Sequence, residues 1–424
     1  MPTLKTLCLG IVALAGSLAG YRFTLWILAA VAAAMIFPSW FLQWGPWDAG
    51  LLTIPRLDLQ NRWLMLLIVQ LVMFSMGTQM GLRDFAGVVK MPYPVLVGIG
   101  LQFTVMPLTG YTLARLFGFP PEIAAGVVLI GSCSSGLASN VMCYLSGANL
   151  ALSITLTALA TLLAPLATPF WMHHLAGTLV EVDPFGMMGQ IAKLVLIPIG
   201  AAMLHDYLKH ASRFARRNVG RAAAVIAVML TLVGIDLIGR TGISASALSP
   251  VVLEALMLMG GAVVVAVAYH HLAARYAWID RQMPVAAMFG IVYFTLVTTA
   301  AGRDNLLVVG LSLVLAAVLH NLIGYGLGYS VSRLVGLDKN SATTVAFEVG
   351  MQNGGMAAGI ASYMGKLGTV GLAAAIFSPW MNVSGSILAN QIRKRRHSPA
   401  PPQRNTSLDQ ALTQESDHAT QPTP

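Results

Sequence analysis

Twelve apolar runs, each long enough to cross a bilayer, divide the chain between residues 23 and 391. They fall near 23–37, 63–80, 95–116, 123–145, 151–176, 188–208, 222–239, 251–273, 284–300, 305–331, 342–365 and 368–391. A helical span takes about 20 apolar residues, and backbone polar groups in lipid have to be satisfied within the segment itself. The expected fold class is therefore an all-α polytopic membrane protein. Only 10% of the residues are charged, against roughly 25% in soluble domains.

The formal net charge of +9 is concentrated locally. Lys209 to Arg221 and Arg393 to Arg396 fit loops on the cytoplasmic side, so no nucleic-acid partner is expected. With the N-terminus inside, the inner loops carry Arg83 and Lys90, the 209–221 cluster, Arg275 and Arg281, then Arg333 and Lys339. The outer loop at 177–187 holds Glu181 and Asp183, and both termini come out cytoplasmic. Residues 1–22 read as an interfacial lead-in, 23–391 as the transmembrane domain in contact with lipid, and 392–424 as a disordered tail poor in large apolar residues. Cys8, Cys133 and Cys143 make no disulfide framework and read as packing residues.

One span is polar where lipid would exclude it. The stretch from Ala346 to Ala358 carries Glu348, Gln352, Asn353 and the glycines Gly350, Gly354 and Gly355. A carboxylate at mid-bilayer costs about 2.5–3.5 kcal/mol even on insertion scales and is expected to have a partner, here a cation. Each glycine weakens a helix by about 0.8–1 kcal/mol relative to Ala, so the helix is expected to break, exposing carbonyls to a cation and a helix N-terminus to an anion. A plain helix with glycines at a packing face accounts for the glycines but not for Gln352 and Asn353.

A second polar station runs from Ile130 to Asn140 and includes Ser132, Ser134, Ser135 and Ser139. Ser135 to Leu145 lies over Gly354 to Met364, with Gly, a long apolar residue, Ala and Tyr coinciding. Such weak internal symmetry between two interrupted spans marks transporters built of repeats, although small-residue helices also match by chance. Ser153 and Thr157 sit one turn apart on one face. Gln102 is a further amide inside a span, more often helix glue than ligand. All of these offer oxygen, the donor preferred by hard cations such as sodium. His173-His174 and His270-His271 fall at span ends, where solvation at the interface is expected, and His320 reads as a packed, hydrogen-bonded residue.

Ser139-Asn140 after Gly and Ala, Ser153-x-x-x-Thr157, Thr168-Pro169, His320-Asn321-x-Ile323-Gly324-Tyr325 and Glu348-x-x-x-Gln352-Asn353 together resemble the bile acid:sodium symporter family, especially its bacterial members. The resemblance covers roughly 23–208 and 305–391. It implies inverted repeats of five helices, with broken fourth and ninth helices crossing near the bilayer centre, and a separate panel domain. It also implies a bacterial inner-membrane location and sodium-coupled symport of small organic anions, pantoate-like or bile-acid-like. One sodium site would use Ser139, Asn140, Ser153, Thr157 and Glu348. A second would use Gln102, Glu348, Gln352 and the carbonyls of Val349 and Met351. Asn353 and Asn382 would face the organic substrate.

Two departures stand out. Where relatives commonly read Cys-Pro-Gly-Gly-Thr-Ala-Ser-Asn, this chain reads Cys133-Ser134-Ser135-Gly136-Leu137-Ala138-Ser139-Asn140. The helix-breaking Pro is missing, and Leu137 stands where a hydroxyl adjoins the substrate, so altered substrate choice is expected. Between Leu208 and Asn305 there is room for three spans where the family has one, an added hairpin that is either 222–273 or 251–300. Asp236 and Arg240, one turn apart, are expected to pair structurally. Two rivals remain at this stage. One is a proton-coupled transporter of the same fold. The other, more distant, is an intramembrane serine hydrolase using Ser132 to Gly136, which lacks a nearby base. The oligomeric state is not legible.

Overall fold

The computed structural model describes residues 26–44, 47–48, 53–54, 57–237 and 250–397. The lead-in at 1–22, the Asp236–Arg240 pairing and the tail from 398 onward lie outside the described residues. In chain order the helices are α1 Trp26–Ile36, α2 Arg62–Gly77, α3 Ala86–Lys90, α4 Pro92–Leu116, α5 Pro121–Ser132, α6 Leu137–Ser146 and α7 Leu150–Trp171. There follow α8 Pro184–Ile191, α9 Ile197–His210, α10 Arg213–Leu237, α11 Pro250–Arg275, α12 Trp278–Ala301, α13 Arg303–Leu334, α14 Lys339–Gly350, α15 Gly354–Tyr363 and α16 Leu372–His397. Two-residue antiparallel pairings, Gln43–Trp44 with Leu57–Asp58 and Trp47–Asp48 with Thr53–Ile54, lie between α1 and α2. The chain is thus an all-α polytopic protein, with eight helices long and apolar enough to cross a membrane among the described residues. α8 and α9 join through a π-helical turn into one of these, and the spans expected at 123–145 and 342–365 are each split in two.

The splits follow from local chemistry. α5 ends at Ser132, and Cys133 and Gly136 are extended (ψ 165° and 163°). α14 ends at Gly350, and Met351 is extended (φ −110°, ψ 104°). The two unwound stretches pair with one another. Ser135 and Gln352 form an antiparallel bridge, the Asn353 amide donates to the Ser134 carbonyl at 2.8 Å, and the Gly136 amide donates to the Met351 carbonyl at 3.3 Å. Backbone groups released by each break are thus satisfied in part by the other, as lipid demands. The missing Pro is not needed for the interruption. A Cβ on Gly136 would stand 3.2 Å from the Gln352 carbonyl, so glycine permits the approach.

The flanking turns are set by caps. Asn149, Asp338 and Asn353 cap α7, α14 and α15 through side-chain oxygens. Gly147 and Gly365, both at φ +67°, turn the chain out of α6 and α15. Asp338 accepts from the amides of Asn340 and Ser341 at 2.8 and 3.2 Å, and hydrogen bonding to Ser341 holds its carboxyl below the usual aspartate range. Asp338→Ala is expected to cost about 1 kcal/mol, read as a lower melting temperature. The contribution of this carboxylate is present above the ordinary aspartate value of about 3.9 and is lost as pH falls through its depressed value. A melt unchanged by the substitution would contradict the cap.

α10 is peripheral. Only 6% of its apolar window is buried, and 11% of that of α11, against 44% for α12. α10 packs along α11, α11 along α9, and α12 against α2, α15 and α16. α11 is fastened to α9 and its approach by Lys193–Glu254 at 2.9 Å and by a small core of Phe74, Ala201, Ala202, Ala266, Tyr269 and Ala273. His270 corrects an expectation. It is 8% exposed, turned into the α9–α11 junction, whereas His173, His174 and His271 are exposed as their positions suggested. α16 continues through Arg396 to His397, so residues 392–397 are helical. Arg396 donates to the Gly147 carbonyl and, at 2.7 Å, to Asn340 Oδ1, tying α16 to the ends of α6 and α14.

Candidate functional site

Glu348 lies on the last turn of α14, 2% exposed, facing the break between α5 and α6. Its Oε1 accepts from Ser139 at 2.7 Å and Ser153 at 2.5 Å, and its Oε2 from Ser135 at 2.6 Å and Thr157 at 2.8 Å. Asn140 Oδ1 lies 2.7 Å from the Ser153 hydroxyl and 3.2 Å from that of Thr157. These close contacts involve the two carboxylate oxygens, four hydroxyls and one amide carbonyl. Each hydroxyl has a single proton, yet Ser139 also reaches the Gly136 carbonyl at 2.7 Å. An oxygen-rich, proton-poor cluster around a buried carboxylate is the donor set of a hard cation.

Ser139, Asn140, Ser153, Thr157 and Glu348 are thus brought together as one group. Ser135 completes it; in the sequence it belongs to the second polar station but not to the expected ion ligands. The signal available is a hydroxyl inside the interrupted stretch.

Gln102, Gln352, Val349 and Met351 form an adjoining group. Gln102 Nε2 donates to the Cys133 carbonyl at 2.9 Å and to Gln352 Oε1 at 2.8 Å, and Gln352 Nε2 donates to the Val349 carbonyl at 2.6 Å. The Met351 carbonyl takes the Gly136 amide. Gln102 Oε1 is buried and has no partner. Amide nitrogens here cover carbonyls while an amide oxygen is left over, so rotation of the Gln102 carboxamide would turn acceptor oxygen toward the same space. Asn321 of α13 donates to the Gly350 carbonyl at 2.8 Å and accepts from Ser384 at 2.6 Å, which steadies the end of α14.

The residues expected to face substrate are placed less uniformly. Asn353 caps α15 through Met356 N, and its Nδ2 approaches Met76 Sδ at 3.5 Å. Asn382 is buried and donates to the Ser378 carbonyl of its own helix at 2.7 Å. Leu137 opens α6 and is half-buried. Between α12 and α15 the remaining space is about 10 Å³, lined by Thr295, Thr298, Gly354, Gly355 and Ser378 among others. A cleft of about 760 Å³ opens where Glu122 of α5 pairs with Lys366 after α15. His320 is fully buried, its Nε2 2.9 Å from the Met106 carbonyl, packed edge-on to Phe377. Ser132, Ser134 and Ser135 bond to carbonyl, thioether, hydroxyl and carboxylate partners, not to a histidine base.

A family model described as the sodium bile acid symporter family matches residues 65–245. The chain is 30% identical to a Bacillus subtilis protein named as an uncharacterized sodium-dependent transporter, YocS, over 89% of this chain and 92% of that one. The chain belongs to the sodium bile acid symporter family. Members of this family are transporters rather than enzymes, and a multi-pass membrane protein coupled to sodium is what the family supports here. Other relatives include a probable sodium/metabolite cotransporter of Arabidopsis thaliana chloroplasts, BASS1, 27% identical over 76% of this chain and 65% of that one. The human ileal sodium/bile acid cotransporter is 26% identical over 68% of this chain and 65% of that one.

Proposed function

We propose that this symporter family member couples the inward movement of sodium to that of a small organic anion, with two ions held at the Glu348 hydroxyl cluster and the adjoining Gln102–Gln352 group. The observation that carries the reading is the acceptance of four hydroxyls by one buried carboxylate at the crossing of two interrupted helices. Cation binding at Glu348 neutralises a charge that is otherwise costly at this depth, and the filled cluster holds α6, α7 and α14 in register. The anion then meets the start of α15, with Asn353 and Asn382 as its polar contacts and Leu137 beside it. Coupling requires the ion to favour one conformation over another.

The two broken pairs, α5–α6 and α14–α15, support inverted repeats. The panel would comprise α2, α9 and α12, and the added hairpin would be α10–α11, the pair that stands outside the packed bundle. Both termini would face the cytoplasm of a bacterial cell, with the Arg213–Arg221 end inside.

Two sodium ions and a monoanion move one net positive charge, favoured by about 2.3 kcal/mol per 100 mV of inside-negative potential. The test is uptake of pantoate-like and bile-acid-like monoanions into proteoliposomes under an imposed sodium gradient, with and without that potential. Sodium-dependent uptake that the potential accelerates supports the reading. Uptake driven equally by a proton gradient without sodium would favour proton coupling through Glu348.

Ser135→Gly is expected to weaken apparent sodium affinity roughly ten- to a hundredfold while leaving uptake at saturating sodium, since one hydroxyl to a charged group is worth about 1.5–3 kcal/mol. A sodium dependence equal to wild type would remove Ser135 from the ion cluster.

A further inference from the structure

A second cluster of ionisable side chains sits where α9, α11 and α12 meet, on elements other than those around Glu348. The rings of His205 and His270, 1% and 8% exposed, lie 5.4 Å apart, with Tyr269 edge-on to His205 at 4.7 Å. At the rim, Asp280 Oδ1 accepts from the Tyr269 hydroxyl at 2.6 Å, and Oδ2 holds the Lys209 ammonium at 2.9 Å. His205 Nε2 stands 3.4 Å from the same Oδ1 without a hydrogen bond. Both ring nitrogens of His205 and Nδ1 of His270 are buried without a hydrogen bond, and only His205 Nε2 has a carboxylate within ion-pair distance. A junction built for stability alone would use apolar residues, because buried polar atoms left unpaired are costly.

We propose that His205 and His270 form a proton-binding site that loosens α11 from α9 and α12 when the adjoining side of the membrane turns acid. The charges that face the pair are Lys209 from α9, Arg216 from α10, His271 beside His270 on α11, and Asp280 from α12. From α2 comes the ring of Phe74, against Tyr269. Lys209 and Asp280 cancel, and both oxygens of Asp280 are engaged. Asp280 is already shared between Lys209 and the Tyr269 hydroxyl, so a proton on His205 meets only part of one carboxylate, and protons on both rings place two buried positive charges side by side. Buried charge without a partner is poorly tolerated, and separation of the helices lets water reach the rings. The cluster lies at the end of the bundle that carries Arg213 to Arg221, which under the proposed orientation is cytoplasmic.

The test is thermal unfolding of the purified full-length protein at about pH 7.5 and about pH 5.5, which bracket the ordinary histidine range. The wild type is expected to lose several degrees on acidification. The double variant His205→Gln with His270→Gln should keep most of its neutral-pH melting temperature. Glu348→Gln should retain the acid loss, which separates this site from the carboxylate at the crossing. Lys209→Met provides a second route if the histidine variant folds poorly. Freed of Lys209, Asp280 can neutralise a protonated His205, so the acid loss should shrink. Equal melting of the wild type at both pH values overturns the proposal, as does an undiminished acid loss in both the histidine and the lysine variants. So does stabilisation by zinc at neutral pH that the histidine variants abolish, which would make this a metal site. The measurement needs no sodium, so its failure leaves the transport reading standing, and the converse holds.

Discussion

Glu348→Gln is expected to abolish sodium-driven uptake while leaving the protein in potassium at least as stable as the wild type. The carboxylate receives Ser135, Ser139, Ser153 and Thr157 on its two oxygens. A carboxamide offers one acceptor and adds two donors, so half of these hydroxyls lose their acceptor and a cation loses its charge partner. Removing one member of a buried charge pair costs about 3–5 kcal/mol, which is roughly two to four orders of magnitude in ion affinity. The same change removes a buried negative charge that, without the ion, is matched by hydroxyls alone. A variant that transports poorly because it is misfolded would melt low in both salts. Uptake above about a tenth of the wild-type rate would mean that Glu348 is not the charged ligand, since 1.4 kcal/mol already corresponds to tenfold.

Gly324→Val is expected to destabilise the protein without touching the carboxylate. At Gly324, α13 lies against the end of α14. A Cβ there would stand 2.7 Å from the Gly350 Cα and 2.9 Å from Met106 Sδ. Valine improves helix propensity over glycine by a few tenths of a kcal/mol, so any net loss has to come from the clash. Overpacking of this kind costs about 1–3 kcal/mol. Gly350 is followed by Met351, whose carbonyl pairs with the Gly136 amide, and the shift therefore propagates to the crossing. Circular dichroism melts of the valine and alanine variants should show a graded loss. A valine variant that melts with the wild type would mean that α13 can stand off from α14 at no cost.

Much of this architecture is legible in the sequence because lipid is an exacting solvent. Spans announce themselves by length, and Glu348, Gln352 and Asn353 stand out because nothing apolar requires them. The interruption at Gly350 to Gly355 is readable from glycine alone. The one at Cys133 to Gly136 is readable from its hydroxyls even without a proline. What escaped were features decided by partners distant in sequence. Ser135 gains its role only because Gln352 pairs with it across the crossing. His270 reads as interfacial by position, yet α11 turns it onto His205. Asn382, expected toward substrate, bonds back to the Ser378 carbonyl, a local alternative open to any amide in a helix. Periodicity does not distinguish α10, α11 and α12, whose runs are similarly apolar; they differ in burial, which depends on neighbours distant in sequence.

The most direct test of a sodium site at Glu348 compares the melting temperature of the wild-type protein in sodium with that in equal potassium or choline, across a concentration series. Sodium at a hundred times its dissociation constant should stabilise by about 2.7 kcal/mol, a shift that potassium does not reproduce and that Glu348→Gln removes. Identical melting in all three salts, with the wild type otherwise folded, would contradict the account and point to the proton as the coupling ion.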